Sequence, residues 1–158
     1  MKKIINWLSL RSTFTITIVV LSAKLFLNFL FLYVKPWYQL KVGYVGGSVD
    51  VARPIWEEVV TSCFLIPIFE TLVFQSLVIY VLQSFTKLSI WSIILVSAIL
   101  FASTHWYSSF YLVYAFLSGI VYAVTFISCQ KKRNYRYAFL IVCTIHILYN
   151  TIGLIYIL

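Results

Sequence analysis

The chain has 158 residues, of which 63% are hydrophobic, 19% aromatic and only 10% charged. Soluble domains are about half apolar and about a quarter charged, and one of this length cannot hide so much apolar surface; lipid accepts it as solvent, so the class is membrane. The formal net charge of +8 does not point to nucleic acid, because the basic residues gather at the ends of apolar runs, which is the positive-inside pattern.

In chain order, Met-Lys-Lys leads to an apolar run over 13–34. It is longer than a signal-peptide core and lacks a clear small-residue cleavage site, so it reads as an uncleaved first span. Lys24 lies within it; snorkelling to the interface is the expected fate, with the bundle interior as the alternative. A polar segment over 35–55 holds Pro36, Gly43, Gly46, Gly47 and Pro54 and reads as the one sizeable loop. Its Trp37, Tyr38 and Tyr44, with Trp56 just after, suit an aromatic belt at the interface. The second helix is expected over 55–83, kinked at Pro67 because proline removes a backbone hydrogen bond. The third is expected over 88–106 and the fourth over 110–127, where Gly119 allows close packing. The fifth is expected over 137–158. The fold class is therefore all-α: a polytopic transmembrane helix bundle of about five spans, with 1–158 forming a single integral membrane domain. Cys63, Cys129 and Cys143 lie in apolar context with no CxxC pair, which suggests small buried side chains rather than disulfides.

The loop charges predict an orientation. Lys2, Lys3 and Arg11, then Lys87, then Lys131, Lys132, Arg133 and Arg136 fall on one side of a five-span chain. On the other, Lys35, Lys41 and Arg53 are offset by Asp50, Glu57 and Glu58. The positive-inside rule places the N-terminus in the cytoplasm and the C-terminus outside.

Few side chains in the spans can do chemistry. Of the four acidic residues only Glu70 lies deep in an apolar run, where a charge costs roughly 2.5–3.5 kcal/mol on insertion scales and usually faces the bundle interior. The only two histidines, His105 and His146, are also in apolar context. His146 and Asn150 are four apart and share a helix face. Each has a plainer reading: a protonated carboxyl bridging helices, an interfacial histidine, interhelical polar glue. Their joint occurrence on three helices favours one site. The many Tyr and Phe residues read as lipid-facing or core.

At these residues the chain resembles the CPBP family, the CAAX-protease and bacteriocin-processing (Abi) intramembrane endopeptidases. That family carries Glu-Glu-xxx-Arg, then Phe-xxx-His, then His-xxx-Asn, each on a transmembrane helix. Phe101-Ala-Ser-Thr-His105 matches the second motif and His146-Ile-Leu-Tyr-Asn150 the third. Glu70 stands at the first glutamate, while Thr71 replaces the second and Gln75 the arginine. Each motif alone is weak; three in order on three apolar helices are more specific. Both members of an expected ion pair are neutral together, which avoids stranding a buried charge, and Thr71 and Gln75 are expected to form a hydrogen-bonded substitute. The similarity covers residues 55–158.

The resemblance implies an intramembrane endopeptidase of the glutamic type. Glu70, helped by His105, would activate a water, and His146 and Asn150 would donate to the developing oxyanion. Thr71, Gln75 and Phe101 would support them. No cofactor is favoured; if the protein were instead a metallopeptidase, Glu70, His105 and His146 would hold zinc. The expected partners are a peptide or membrane-protein substrate and the lipid bilayer, with no nucleic acid; the sequence leaves the oligomeric state open. The family's bacterial roles point to a bacterial cell membrane and to maturation of a bacteriocin or signal peptide, or self-immunity. Two other readings stand beside it: a non-catalytic bacteriocin-immunity or partner-binding protein, and a small proton-coupled transporter subunit.

Overall fold

A computed structural model describes residues 1–43, 54–106 and 108–155. Six helices account for its regular structure: α1 Lys2–Ser9, α2 Thr13–Lys41, α3 Ile55–Phe85, α4 Ile90–Ser103, α5 Ser109–Lys132 and α6 Tyr135–Ile155. The expected Tyr44, Gly46 and Gly47 of the loop, its charges Asp50 and Arg53, and the last three residues of the fifth helix lie outside the described residues.

The bundle is built around α5. This helix packs against α1, α2, α4 and α6 and against part of α3. Of its apolar stretch 67% is buried, against 17% for α2. Gly119 explains how α4 approaches so closely: a Cβ placed there would come 2.9 Å from Ala98 Cα, so only a glycine lets the two backbones meet. Around this centre the outer faces of α2 and α3 expose Phe26, Phe29, Tyr33, Phe69 and Leu72. A surface so apolar suits lipid, not water.

Four helices, α2, α3, α5 and α6, are long and apolar enough to cross a bilayer. The remaining expected span, the third, is shorter than the pattern suggested. Helix α4 has 14 residues, or about 21 Å at the usual rise, against a hydrocarbon core of about 30 Å. Ser89 caps its start by accepting from the Ser92 amide, and Thr104–Trp106 form a turn beyond its end. Helix α4 therefore stops short of the far interface, and His105 lies in the turn beyond its end rather than within a helix reaching 106.

The first span differs from expectation at both ends. Helix α2 continues through Pro36 to Lys41, so Trp37 and Tyr38 sit on its last turns rather than in a loop. Gly43 follows at φ 116°, a conformation that side chains resist and that commonly ends helices. Before α2 lies α1, absent from the sequence reading. It buries Ile5 and Leu8 against α5 and leaves Lys2 and Lys3 exposed. Lys131 donates to Asn6 Oδ1 at 2.6 Å and Lys132 donates to the Arg11 carbonyl. The basic N-terminal segment and the basic α5–α6 connection thus share one end of the molecule.

Helix α3 carries two π-helical stretches, Val59–Leu65 and Thr71–Leu77, separated by the α-helical turn Ile66–Glu70. The irregularity expected at Pro67 takes this form. Ile66 donates five residues back, to the Thr61 carbonyl. The next carbonyl, Ser62, then faces Pro67, which has no N–H to give. Asn150 of α6 fills the gap by donating to Ser62 O at 2.8 Å. At the second stretch Val78 donates to Val73 O, and the return to four-residue spacing leaves the Phe74 carbonyl without a backbone donor. Ser97 of α4 supplies one at 2.8 Å. Buried carbonyls in lipid must be paired, and here each break in the α3 ladder is closed by a neighbouring helix. Cys63, Cys129 and Cys143 are buried and free, as expected.

Candidate active site

The three polar stations meet. Glu70 ends the short turn between the π-helical stretches of α3. His105 Nε2 lies 3.6 Å from its Oε1, and His146 Nε2 lies 3.6 Å from its Oε2. The carboxyl is thus flanked by an imidazole at each oxygen. These separations exceed hydrogen-bond length, as catalytic contacts often do before a ligand tightens them.

The imidazoles are held from behind. His105 Nδ1 is 3.0 Å from the Phe101 carbonyl. A carbonyl only accepts, so Nδ1 carries the proton, and in the neutral ring Nε2 keeps its lone pair toward Glu70. Thr104 Oγ1 donates to the same carbonyl at 2.8 Å. The Phe101 ring touches both imidazoles, with centroids 5.0 Å from His105 and 6.0 Å from His146. Tyr111 stacks on His105 at 5.5 Å, and Tyr122 packs on His146 at 4.5 Å. This is why phenylalanine suits position 101: one flat apolar ring fixes two imidazoles on different helices.

These groups border one cavity of about 80 Å³. That is space for several waters, or for a water and a peptide carbonyl. Ser62, Glu70, His105, His146, Tyr149 and Asn150 line it, along with Lys24. One N–H of Asn150 is taken by Ser62 O; a primary amide has a second.

Thr71 and Gln75 depart from expectation. Both are fully buried, yet among the described residues neither the Thr71 hydroxyl nor the Gln75 amide has a hydrogen-bond partner. They do not form the expected hydrogen-bonded pair. In the π-helical ladder of this stretch the bonded neighbour is five residues away, so the four-residue spacing of 71 and 75 no longer aligns the two polar ends.

Lys24 also differs. It is 1% exposed and does not snorkel. It lies about 16 Å along α2 from Thr13 at 1.5 Å per residue, beyond easy reach of the near interface. Its Nζ donates to Ser118 Oγ and, at 3.4 Å, to Tyr114 OH. It also lies over the rings of Tyr149, Tyr114 and Tyr122 at 4.3, 4.8 and 5.0 Å. A desolvated cation–π contact is worth about 2 kcal/mol, so the tyrosine cage offsets much of the cost of burying an ammonium at mid-bilayer.

The tyrosines are what sequence reasoning missed. Tyr111, Tyr114, Ser118 and Tyr122 fall at intervals of three, four and four, a polar stripe down one face of α5. Tyr149 sits beside Asn150 within the third motif and shares a hydrogen bond with Tyr114. The stripe was legible as a period, but the abundance of tyrosine elsewhere hid it.

As ligands for zinc the three side chains fit poorly. Each imidazole faces a different carboxyl oxygen, and among the described residues no three His, Cys, Asp or Glu side chains are disposed to hold a metal ion.

No curated protein and no solved structure matches the chain. A family model, "Type II CAAX prenyl endopeptidase Rce1-like", matches residues 51–152. That span contains Glu70, His105, His146 and Asn150 and excludes Lys24. The apolar helices make the chain an integral membrane protein, and the chain belongs to the Rce1-like family of type II CAAX endopeptidases, within the CPBP proteases.

Proposed function

We propose that the protein hydrolyses a peptide bond of a peptide or membrane-protein segment by glutamate-activated water. The observation that carries this reading is a carboxyl with one imidazole at each oxygen, beside a cavity with room for water. Glu70 takes a proton from water while His105, anchored through Nδ1, positions it with the lone pair of Nε2. His146 and the second N–H of Asn150 donate to the oxyanion that forms on the substrate carbonyl. Glu70 then returns the proton to the departing amine. Phe101 holds the imidazoles at the angle this needs. The reaction runs without a resident metal, and the basic end of the bundle faces the cytoplasm by the positive-inside rule.

Purified protein in proteoliposomes, incubated with candidate precursor peptides, tests the reading. The wild type is expected to cleave, with Glu70→Gln and His105→Ala reduced at least a hundredfold, and EDTA is expected to leave the rate unchanged. Equal cleavage by all variants would remove these residues from the chemistry. Loss to chelation restored by zinc would replace the glutamic mechanism with a metal one. A wild type that cleaves nothing yet protects a host from a bacteriocin would favour the partner-binding reading.

A further inference from the structure

Lys24 stands outside the matched residues and outside the three motifs, yet it lines the cavity that holds Glu70. Among the described residues Lys24 and Glu70 are the only Lys, Arg, Asp or Glu side chains on that wall. The motif positions that would carry a further acid and an arginine hold Thr71 and Gln75 instead. The positive pole of this site therefore comes from α2. A lysine kept only to fill space would be an expensive choice in lipid, since methionine fills a similar volume without charge.

Resting on the hydrolase reading above, we propose that Lys24 is a catalytic residue: its ammonium stabilises the oxyanion formed on the scissile carbonyl. An ammonium has three N–H donors. Ser118 and Tyr114 take one each and fix the head, and the third serves the cavity. The rings of Tyr114, Tyr122 and Tyr149 surround the cation and, among the described residues, hold it in place with no carboxylate in ion-pair contact with it. When water attacks, its proton passes to Glu70 and the carbonyl π pair moves onto oxygen, where the ammonium meets the new charge. Collapse returns that pair to the carbonyl, breaks the C–N bond and sends the proton from Glu70 to the amine. Lys24 neither gains nor loses a proton in this cycle. A fixed cation held beside the reacting carbonyl stabilises developing charge strongly.

The test compares Lys24→Met and Lys24→Ala with wild type and Glu70→Gln in one peptide-cleavage assay, alongside thermal unfolding in detergent. For Lys24→Met, kcat is expected to fall on the order of 10²–10³-fold with KM little changed. Its unfolding temperature should be equal or higher, because a buried ammonium has been replaced by an apolar chain. Propylammonium added to Lys24→Ala is expected to restore at least tenfold of the lost rate, and propanol none. If Lys24→Met keeps wild-type kcat while Glu70→Gln is dead, the assignment fails and the hydrolase reading survives. It fails likewise if the loss of rate tracks a lowered unfolding temperature and propylammonium does not rescue. An inert wild type overturns both.

Discussion

Replacing Asn150 by alanine removes the amide that donates 2.8 Å to the Ser62 carbonyl. No backbone group takes its place, because Ile66 is bonded to Thr61 and Pro67 has no N–H. A neutral hydrogen bond is worth about 1 kcal/mol net, and measured values within membrane bundles average about 0.6 and reach about 1.7 kcal/mol. Asn150→Ala should therefore destabilise the protein by about 1 kcal/mol, roughly a fivefold change in the unfolding constant. The cause is specific, so it can be removed. Pro67→Ala supplies the missing N–H, which reaches Ser62 in a five-residue ladder and frees Ile66 to do so in a four-residue one. In that background Asn150→Ala should cost close to nothing, a coupling of about 1 kcal/mol in a double-mutant cycle. Reversible unfolding in mixed micelles measures it. An equal cost of Asn150→Ala with and without Pro67 would refute the link between the proline, the π-helical stretch and this amide.

Gly119→Ala drives a Cβ to 2.9 Å from the Ala98 backbone and 3.2 Å from the Phe101 ring. It should cost about 1–3 kcal/mol as overpacking and be partly relieved by Ala98→Gly, read by unfolding in detergent. Phe101→Ala unseats both imidazoles and should lower kcat more than KM in the cleavage assay, since the ring touches the two groups that act on the substrate. Cysteines introduced at Lys3 and Asn134 should label from the same face of a proteoliposome, because Asn6 and Arg11 meet Lys131 and Lys132; the buried native cysteines give little background. Labelling from opposite faces would contradict the packing of α1 on α5.

Much of this molecule was legible because lipid leaves few choices. Long apolar runs became helices, and the rare polar residues inside them had to find each other. Glu70, His105 and His146 stand in three separate apolar runs, and burial in a small bundle leaves a carboxyl and two imidazoles little else to meet. What the residues could not show was direction. Whether Lys24 turned toward lipid or toward α5 depended on the tyrosine stripe of α5, and that stripe looked like ordinary membrane tyrosine. The α3 ladder hid a different feature. Proline announces a break, but its form, a five-residue spacing closed by Asn150, depends on a side chain 88 residues from the Ser62 carbonyl it pairs. The length of α4 was obscured because Thr104 and His105 continue an apolar pattern that the backbone leaves at Ser103. Helix α1 was readable in hindsight from Ile5 and Leu8 opposite Lys2 and Lys3, but eight residues are too few to stand out beside a long span.

The most direct test of glutamate-activated hydrolysis is the fate of the water. Wild-type protein and Glu70→Gln, each in proteoliposomes made in H₂¹⁸O, are incubated with a library of membrane-inserted peptides and the products weighed by mass spectrometry. The wild type should yield fragments whose new C-terminal carboxyl carries one ¹⁸O from the first turnover, and Glu70→Gln should yield none. Fragments without ¹⁸O after the first turnover, or the same labelled fragments from Glu70→Gln, would contradict it.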